Sequence, residues 1–573
     1  MGTLKRTARV TSVMLVVTAT TAGRAEPIKS AVPARPDDRT IVHVLNRLGF
    51  GPAPGDIERV RRVGLQSYID QQLQPERIAD NELRVRLATF ETLTQSTQEM
   101  AERYYLPAQM ARREQQRAQA AQDPAMAPQN DQRRRDNATP EQNESIRMER
   151  QALGEVMQAK VLRAVYSERQ LGEVMVDFWF NHFNVFVGKG QVRLYLNEYE
   201  RDAIRPHVLG KFHDLLKATA ESPAMLFYLD NWQSAAPEGA PIAADAQTRP
   251  RQLGVVRPRG GAQRPGQIRR PATLADLPAN AQNRRRGLNE NYARELMELH
   301  TLGVEGGYTQ KDVQEVARAF TGWTIANPRQ GGAFRFESRM HDDGEKTVLG
   351  RRIKAGGGKK DGDTVLAMLS AHASTARFIS TKLARRFVAD DPPAALVDRA
   401  AKRFRDTDGD IREVVRTIVT SPEFFAADAY RAKVKSPLEF VVSAVRATGM
   451  QMANAQPLVQ AVRNLGMPLY GCQPPTGYAD KAEAWVNSGA LLNRMNFAVA
   501  LTSGRQLRGL DARGGSNAIA TAPQTRQLTT GDELVASALA GELSESTATT
   551  IAKATSSPQA LALVLGSPEF QRR

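Results

Sequence analysis

The chain has 573 residues, of which 41% are hydrophobic and 24% charged, with a formal net charge of +16 and a single cysteine. At roughly 100–200 residues per domain, that length allows a large core, and the composition fits a folded chain with long disordered insertions better than a wholly disordered one. One cysteine, Cys472, excludes an intramolecular disulfide and any Cys-rich zinc site.

The N-terminus places Lys5, Arg6 and Arg9 before a short run of apolar and small residues, Val10 to Ala22. Gly23-Arg24-Ala25 then puts small residues at the −3 and −1 positions of a cut after Ala25. That is the pattern of a signal peptide over 1–25, and it predicts export to the periplasm or beyond. The apolar run is too short to span a bilayer, and no later run reaches roughly 20 residues, so no transmembrane span is expected.

Residues 26–40 read as a flexible mature N-terminus. From Asp38, helical spacing begins with Ile41, Val42, Leu45 and Leu48, and Gly49 with Gly51 stops it. Residues 107–150 are rich in Gln, Ala, Arg and Asn and read as a mobile insertion, helical at its ends. Leu171 to Phe186 is apolar and aromatic, hence core. Ser222-Pro223 and Thr309 with Asp312 start helices as N-caps.

A second insertion covers 234–286. Between 249 and 286 it holds ten arginines against one acid, Asp276. No aromatic residue there can stack on bases, so specific nucleic-acid binding is not expected. A basic loop of this kind suits contact with anionic surfaces.

Leu288 to Leu302 reads as one helix. The pieces "AFRFESRMHD" and "KTVLGRRIKA" suggest a small β-hairpin between them. The rest is helical, broken by a polar loop at 505–530. Two helical runs end alike, in Ser421-Pro422-Glu423-Phe424 and Ser567-Pro568-Glu569-Phe570. The fold class is therefore mainly α: a large multi-helical domain over 41–573 with two long disordered insertions, and room for a C-terminal lobe from about residue 360.

Several blocks, in order, carry a resemblance: "HVLNRLGFGP", "FWFNHFNV", "SPAMLFYLDN", "NENYARELMELHTLGV", "VARAFTGWT", "HDDGEKTVLG", "FISTKLARRFV", "KSPLEFVVSAVRATG", "PPTGY" and "WVNSGALLNRMNF". With them, the chain resembles the bacterial family called domain of unknown function 1800 over nearly all of 40–573. The resemblance implies a mostly helical, usually exported bacterial protein without an established activity, and an exported protein partner. It also implies that Phe often stands where this chain has His300, which argues against chemistry at that ring.

Among polar residues, Asn291, Arg294, Glu295 and Glu298 share a helical face. Two carboxylates at i and i+3 can ligate a metal, as in di-iron bundles, or can brace arginines. His182 lies in an aromatic run with Asp177, Asn181 and Asn184 near it. His341 heads "HDDGEK", where His341 and Asp342 suit acid–base or metal chemistry and also suit a turn. His182, Asp230, Glu295 and His341 together would form an oxygen-rich metal site for Zn, Mn or Fe. Glu295, Glu298, His341 and Asp342 are the candidate catalytic groups, with Glu298 as base for a metal-bound water.

Asp406, Asp408 and Asp410 alternate as in a calcium loop. However, Gly409 falls at position 4 and Thr417 at position 12, so a helix cap at Asp410 fits better. Cys472 has no base beside it and reads as a buried thiol. Two functions remain: a helical scaffold or binding protein acting with an exported partner, favoured because no nucleophile–base pair is readable, and a metal-assisted hydrolase.

Overall fold

The computed structural model describes residues 30–122, 139–242, 287–452, 454–503 and 530–573. The signal peptide expected over 1–25, the arginine-rich stretch and the loop expected at 505–530 lie outside the described residues, apart from Thr530. From residue 30 the chain is anchored: Ala31 N–H donates to Thr420 O at 2.8 Å and Ser30 Oγ to Gln66 Oε1 at 2.8 Å. The first helix, Asp38–Leu48, starts where Asp37 accepts from Thr40 N, and its buried residues run from Ile41 to Leu48.

Helices dominate, and one cluster of buried apolar side chains runs from Ile41 to Phe570. The helices after residue 360 join that cluster through Val365, Leu383, Phe404, Ile418 and Val441. Among the described residues no helix is long and apolar enough to cross a membrane.

Helix structure reaches further into the first insertion than its composition suggests. One helix covers Leu106–Gln122 and another Pro140–Tyr166. Thr139 and Gln142 form a full capping box with Pro140 at the first helical position. An Arg112–Glu149 ion pair ties the two helices together. Only 123–138 lies outside the described residues there.

The β pieces pair differently from expectation. Strand β1 (Trp323–Ile325) pairs antiparallel with β2 (Phe334–Phe336), and β3 (Lys346–Val348) with β4 (Arg351–Ile353). "KTVLGRRI" therefore folds on itself. The cause is its two-residue turn, Leu349 at φ 48° and Gly350 at φ 75°, the left-handed pair that a tight hairpin of this twist requires.

Local signals held elsewhere. Ser222 caps the helix Pro223–Tyr228, Thr309 and Asp312 box the helix Gln310–Ala319, and Asp410 caps Ile411–Val419. The two Ser-Pro-Glu-Phe ends share one solution. Ser421 Oγ accepts from Phe424 N and Ser567 Oγ from Phe570 N, each at 3.2 Å, and both phenylalanines are buried.

Candidate functional site

The stretch expected as one helix over 288–302 changes register midway. It is α-helical over Glu290–Glu295 and a π-helix over Leu296–Leu302, ended by Gly303 at φ 82°. Thr301 Oγ1 donates to Leu296 O, five residues back, at 2.7 Å. The wider turn rotates the inner face, burying Met297, His300 and Thr301 and leaving Leu299 half-buried. A Cβ at Gly303 would meet Phe378 at 3.0 Å, so glycine lets helix Ala373–Phe387 pack closely.

That packing builds a cluster of nitrogen bases. His182 ends the helix Gln170–His182, buried among Trp179, Phe183 and Phe378. Its Nε2 lies 3.1 Å from His300 O, which can only accept, so Nε2 carries the proton. Nδ1 is then an acceptor, and Lys382 Nζ donates to it at 2.8 Å. Burial first, and then Lys382 and His300, holds the His182 pKa well below the ordinary range, so the ring is neutral. Burial likewise lowers His300 to about 3 and Lys382 to about 8.

A loop walls this cluster. Asn181 binds Tyr478 twice, accepting from its N–H at 2.7 Å and donating to its O at 2.8 Å. Asn184 Nδ2 donates to Cys472 O at 3.0 Å and Pro474 O at 2.8 Å. Tyr228 OH donates to Gln473 O at 2.6 Å. The loop brings in Asp480, whose carboxylate pairs with Lys433 at 2.9 Å and favours the charged form of Lys382. Cys472 is buried, and burial raises its pKa, as expected for an inert thiol.

Of the other candidates, Asp230 and the adjacent His341 and Asp342 are held by partners outside this cluster. Asp230, at φ 60°, is exposed and pairs with Lys189 at 2.6 Å. His341 is buried with both nitrogens engaged, Nδ1 with Thr321 O at 2.8 Å and Nε2 with Asp361 Oδ2 at 3.3 Å. Lys346, also buried, meets the same Asp361 oxygen at 2.6 Å. Asp342 is held in two bonds by Arg318 and accepts from Gly344 N.

Glu295 and Glu298 are half-buried neighbours. They do not brace Arg294, which donates instead to Gln310 Oε1 at 2.7 Å. Glu298 accepts from Tyr308 OH at 3.0 Å. Burial and then Glu298 raise the Glu295 pKa, against a smaller pull from Arg294.

Among the described residues, no group of three or more His, Cys, Asp or Glu side chains is arranged to hold a metal ion. The structure does not bring His182, Asp230, Glu295 and His341 together, and both histidines spend their ring nitrogens on other partners. A shallow surface cavity lined by Pro54, Tyr166, Arg446 and Met450 contains none of these residues.

A family model described as a protein of unknown function, DUF1800, matches residues 43–572. The chain belongs to the DUF1800 family. Comparison with curated proteins and with solved structures returns no match. The match spans every element of the cluster just described, from His182 to Lys382 and Asp480. Lys382 and Asp480 were not among the residues singled out by sequence. Lys382 lies 200 positions from His182, and its only signal was its place in "FISTKLARRFV", between half-buried and buried helical positions.

Proposed function

We propose that this DUF1800 chain is an exported helical binding protein or scaffold that acts with an exported partner. One observation carries the reading. Three of the polar groups that a hydrolytic metal centre would need are committed to structural partners: His341 to Thr321 and Asp361, Asp342 to Arg318, and Asp230 to Lys189. Such pairing is what buried charge requires when it braces helices. The basic start and the small residues before Glu26 support export.

Expression of the full chain in a bacterium, with N-terminal sequencing and native mass spectrometry of the exported fraction, tests this reading. It expects a mature chain beginning at Glu26 and a stoichiometric second protein. Retention of residues 1–25 in the cytoplasm, or hydrolytic turnover lost on chelation, contradicts it.

A further inference from the structure

Lys382 belongs, with Arg47, Lys435 and Arg494, to a small set of shielded cations outside the ion pairs among the described residues. Most well-buried cations here meet carboxylates: Lys346 meets Asp361, Lys433 meets Asp390 and Asp480, and Arg386 meets Glu439. Among the described residues no carboxylate lies within ion-pair distance of Lys382. Its hydrogen-bond partner is a neutral imidazole, and its other close neighbour is the Phe378 ring, 5.4 Å from Nζ.

We propose that Lys382 is a reactive amine that captures the carbonyl carbon of a small aldehyde or keto acid, with His182 as the acceptor that orients it. Three features of the cluster carry this. His182 Nδ1 is fixed as an acceptor by the bond from Nε2 to His300 O, so it can hold one amine hydrogen and leave the nitrogen lone pair free. Lys382 as a residue is half-buried, so its side chain borders solvent while the amine itself is enclosed beside His182. The buried ring of His300, 6.2 Å from that of His182, has an Nε2 with no partner. A ligand oxygen would supply the missing hydrogen bond.

In the step itself, the neutral amine of Lys382 adds to the carbonyl carbon, forming a C–N bond. The carbonyl oxygen takes up two protons and leaves as water, and the product is an imine. No oxidant or reductant is consumed. The lowered pKa, about 8, supports the chemistry. At pH 7 about one-tenth of such an amine is neutral, against less than one part in a thousand for an ordinary lysine. Burial is the first cause of this value, Asp480 opposes it and Arg385 adds to it, and the rings of His182 and His300 are the other titratable groups beside the amine. The inference stands apart from export and from any partner.

The wild-type full chain, folded and free of ligand, is treated with glyoxylate and sodium cyanoborohydride, and the trapped secondary amines are mapped by peptide mass spectrometry. Lys382 is expected to label at least about tenfold faster at pH 7 than exposed Lys311 and Lys553. Its rate should level off above about pH 8, whereas an ordinary lysine keeps climbing towards pH 10. Lys382→Arg should remove the fast site and leave the other lysines unchanged. Labelling of Lys382 at or below the rate of Lys311 and Lys553 in the folded protein overturns the proposal and leaves Lys382 as a brace for His182.

Discussion

Arg318 grips Asp342 through two parallel bonds, Nε to Oδ2 at 2.7 Å and Nη2 to Oδ1 at 3.2 Å. Asp342 is 1% exposed, and Arg318 also meets Glu315 at 2.9 Å. The helix Gln310–Ala319 is thereby fastened to the loop before β3. Breaking one side leaves the buried Asp342 carboxylate with only the Gly344 N–H and the charge of Lys346 to offset it. Arg318→Ala is therefore expected to cost about 3–5 kcal/mol, read as a shift in the urea midpoint. A loss below about 1 kcal/mol would show that the pair is incidental.

Acid should weaken the fold before its carboxylates titrate. His43 and His300 are lowered to about 3 and His182 well below its ordinary value, in each case first by burial. Each is neutral in the fold, so between about pH 6.5 and 3 the unfolded chain binds more protons. Stability therefore falls as pH drops through that window, by up to about 1.4 kcal/mol per pH unit for each histidine. Below about pH 4, Glu200 adds to the loss. Burial would raise its pKa, but Lys160, Arg205 and Arg163 hold it at about 2. Urea midpoints measured from pH 7 to 4 should decline steadily, and a flat profile would contradict this.

His300→Phe isolates one of these terms. The ring is buried with Nε2 unpartnered, and the bond from His182 reaches the backbone carbonyl, which the substitution keeps. Removing an orphaned polar atom should stabilise the fold by about 1 kcal/mol at pH 7 and flatten the acid slope by one histidine. A clear loss of stability at pH 7 would mean that Nε2 has a partner in solution.

Gly477 fixes the loop that walls the nitrogen cluster. Its φ is +72°, and a Cβ there would lie 2.2 Å from Asn181 O. Gly477→Ala combines left-handed strain with a backbone clash, for a cost of about 2 kcal/mol or more. Limited proteolysis should then cut within 471–480, where the wild type resists.

Local chemistry was legible in the sequence, and distance was not. Ser222, Thr309 and Asp410 cap their helices as read, because a cap is decided within four residues. The family was readable because many short blocks keep their order. The two hairpins were misjoined because only "AFRFESRMHD" and "KTVLGRRIKA" read as β-like, whereas Phe336 in the first pairs with Trp323, which lies before it. The π-turn at Leu296–Leu302 was invisible because a 3.6-residue period places Leu299 inside, and only packing against Phe378 reveals the shift. His182 was noticed as a candidate, but its partner lies 200 residues on, in a block that reads as an ordinary amphipathic helix.

The most direct test of whether the polar blocks brace the fold is metal content. The full chain is expressed in a bacterium and purified without chelators, and elemental mass spectrometry is run on wild type, Glu295→Ala and His341→Ala. Bracing predicts no stoichiometric Zn, Mn or Fe, and a lowered melting temperature for His341→Ala through loss of its bonds to Thr321 and Asp361. One equivalent of a transition metal in the wild type, lost in both variants, would contradict it and restore the hydrolase reading.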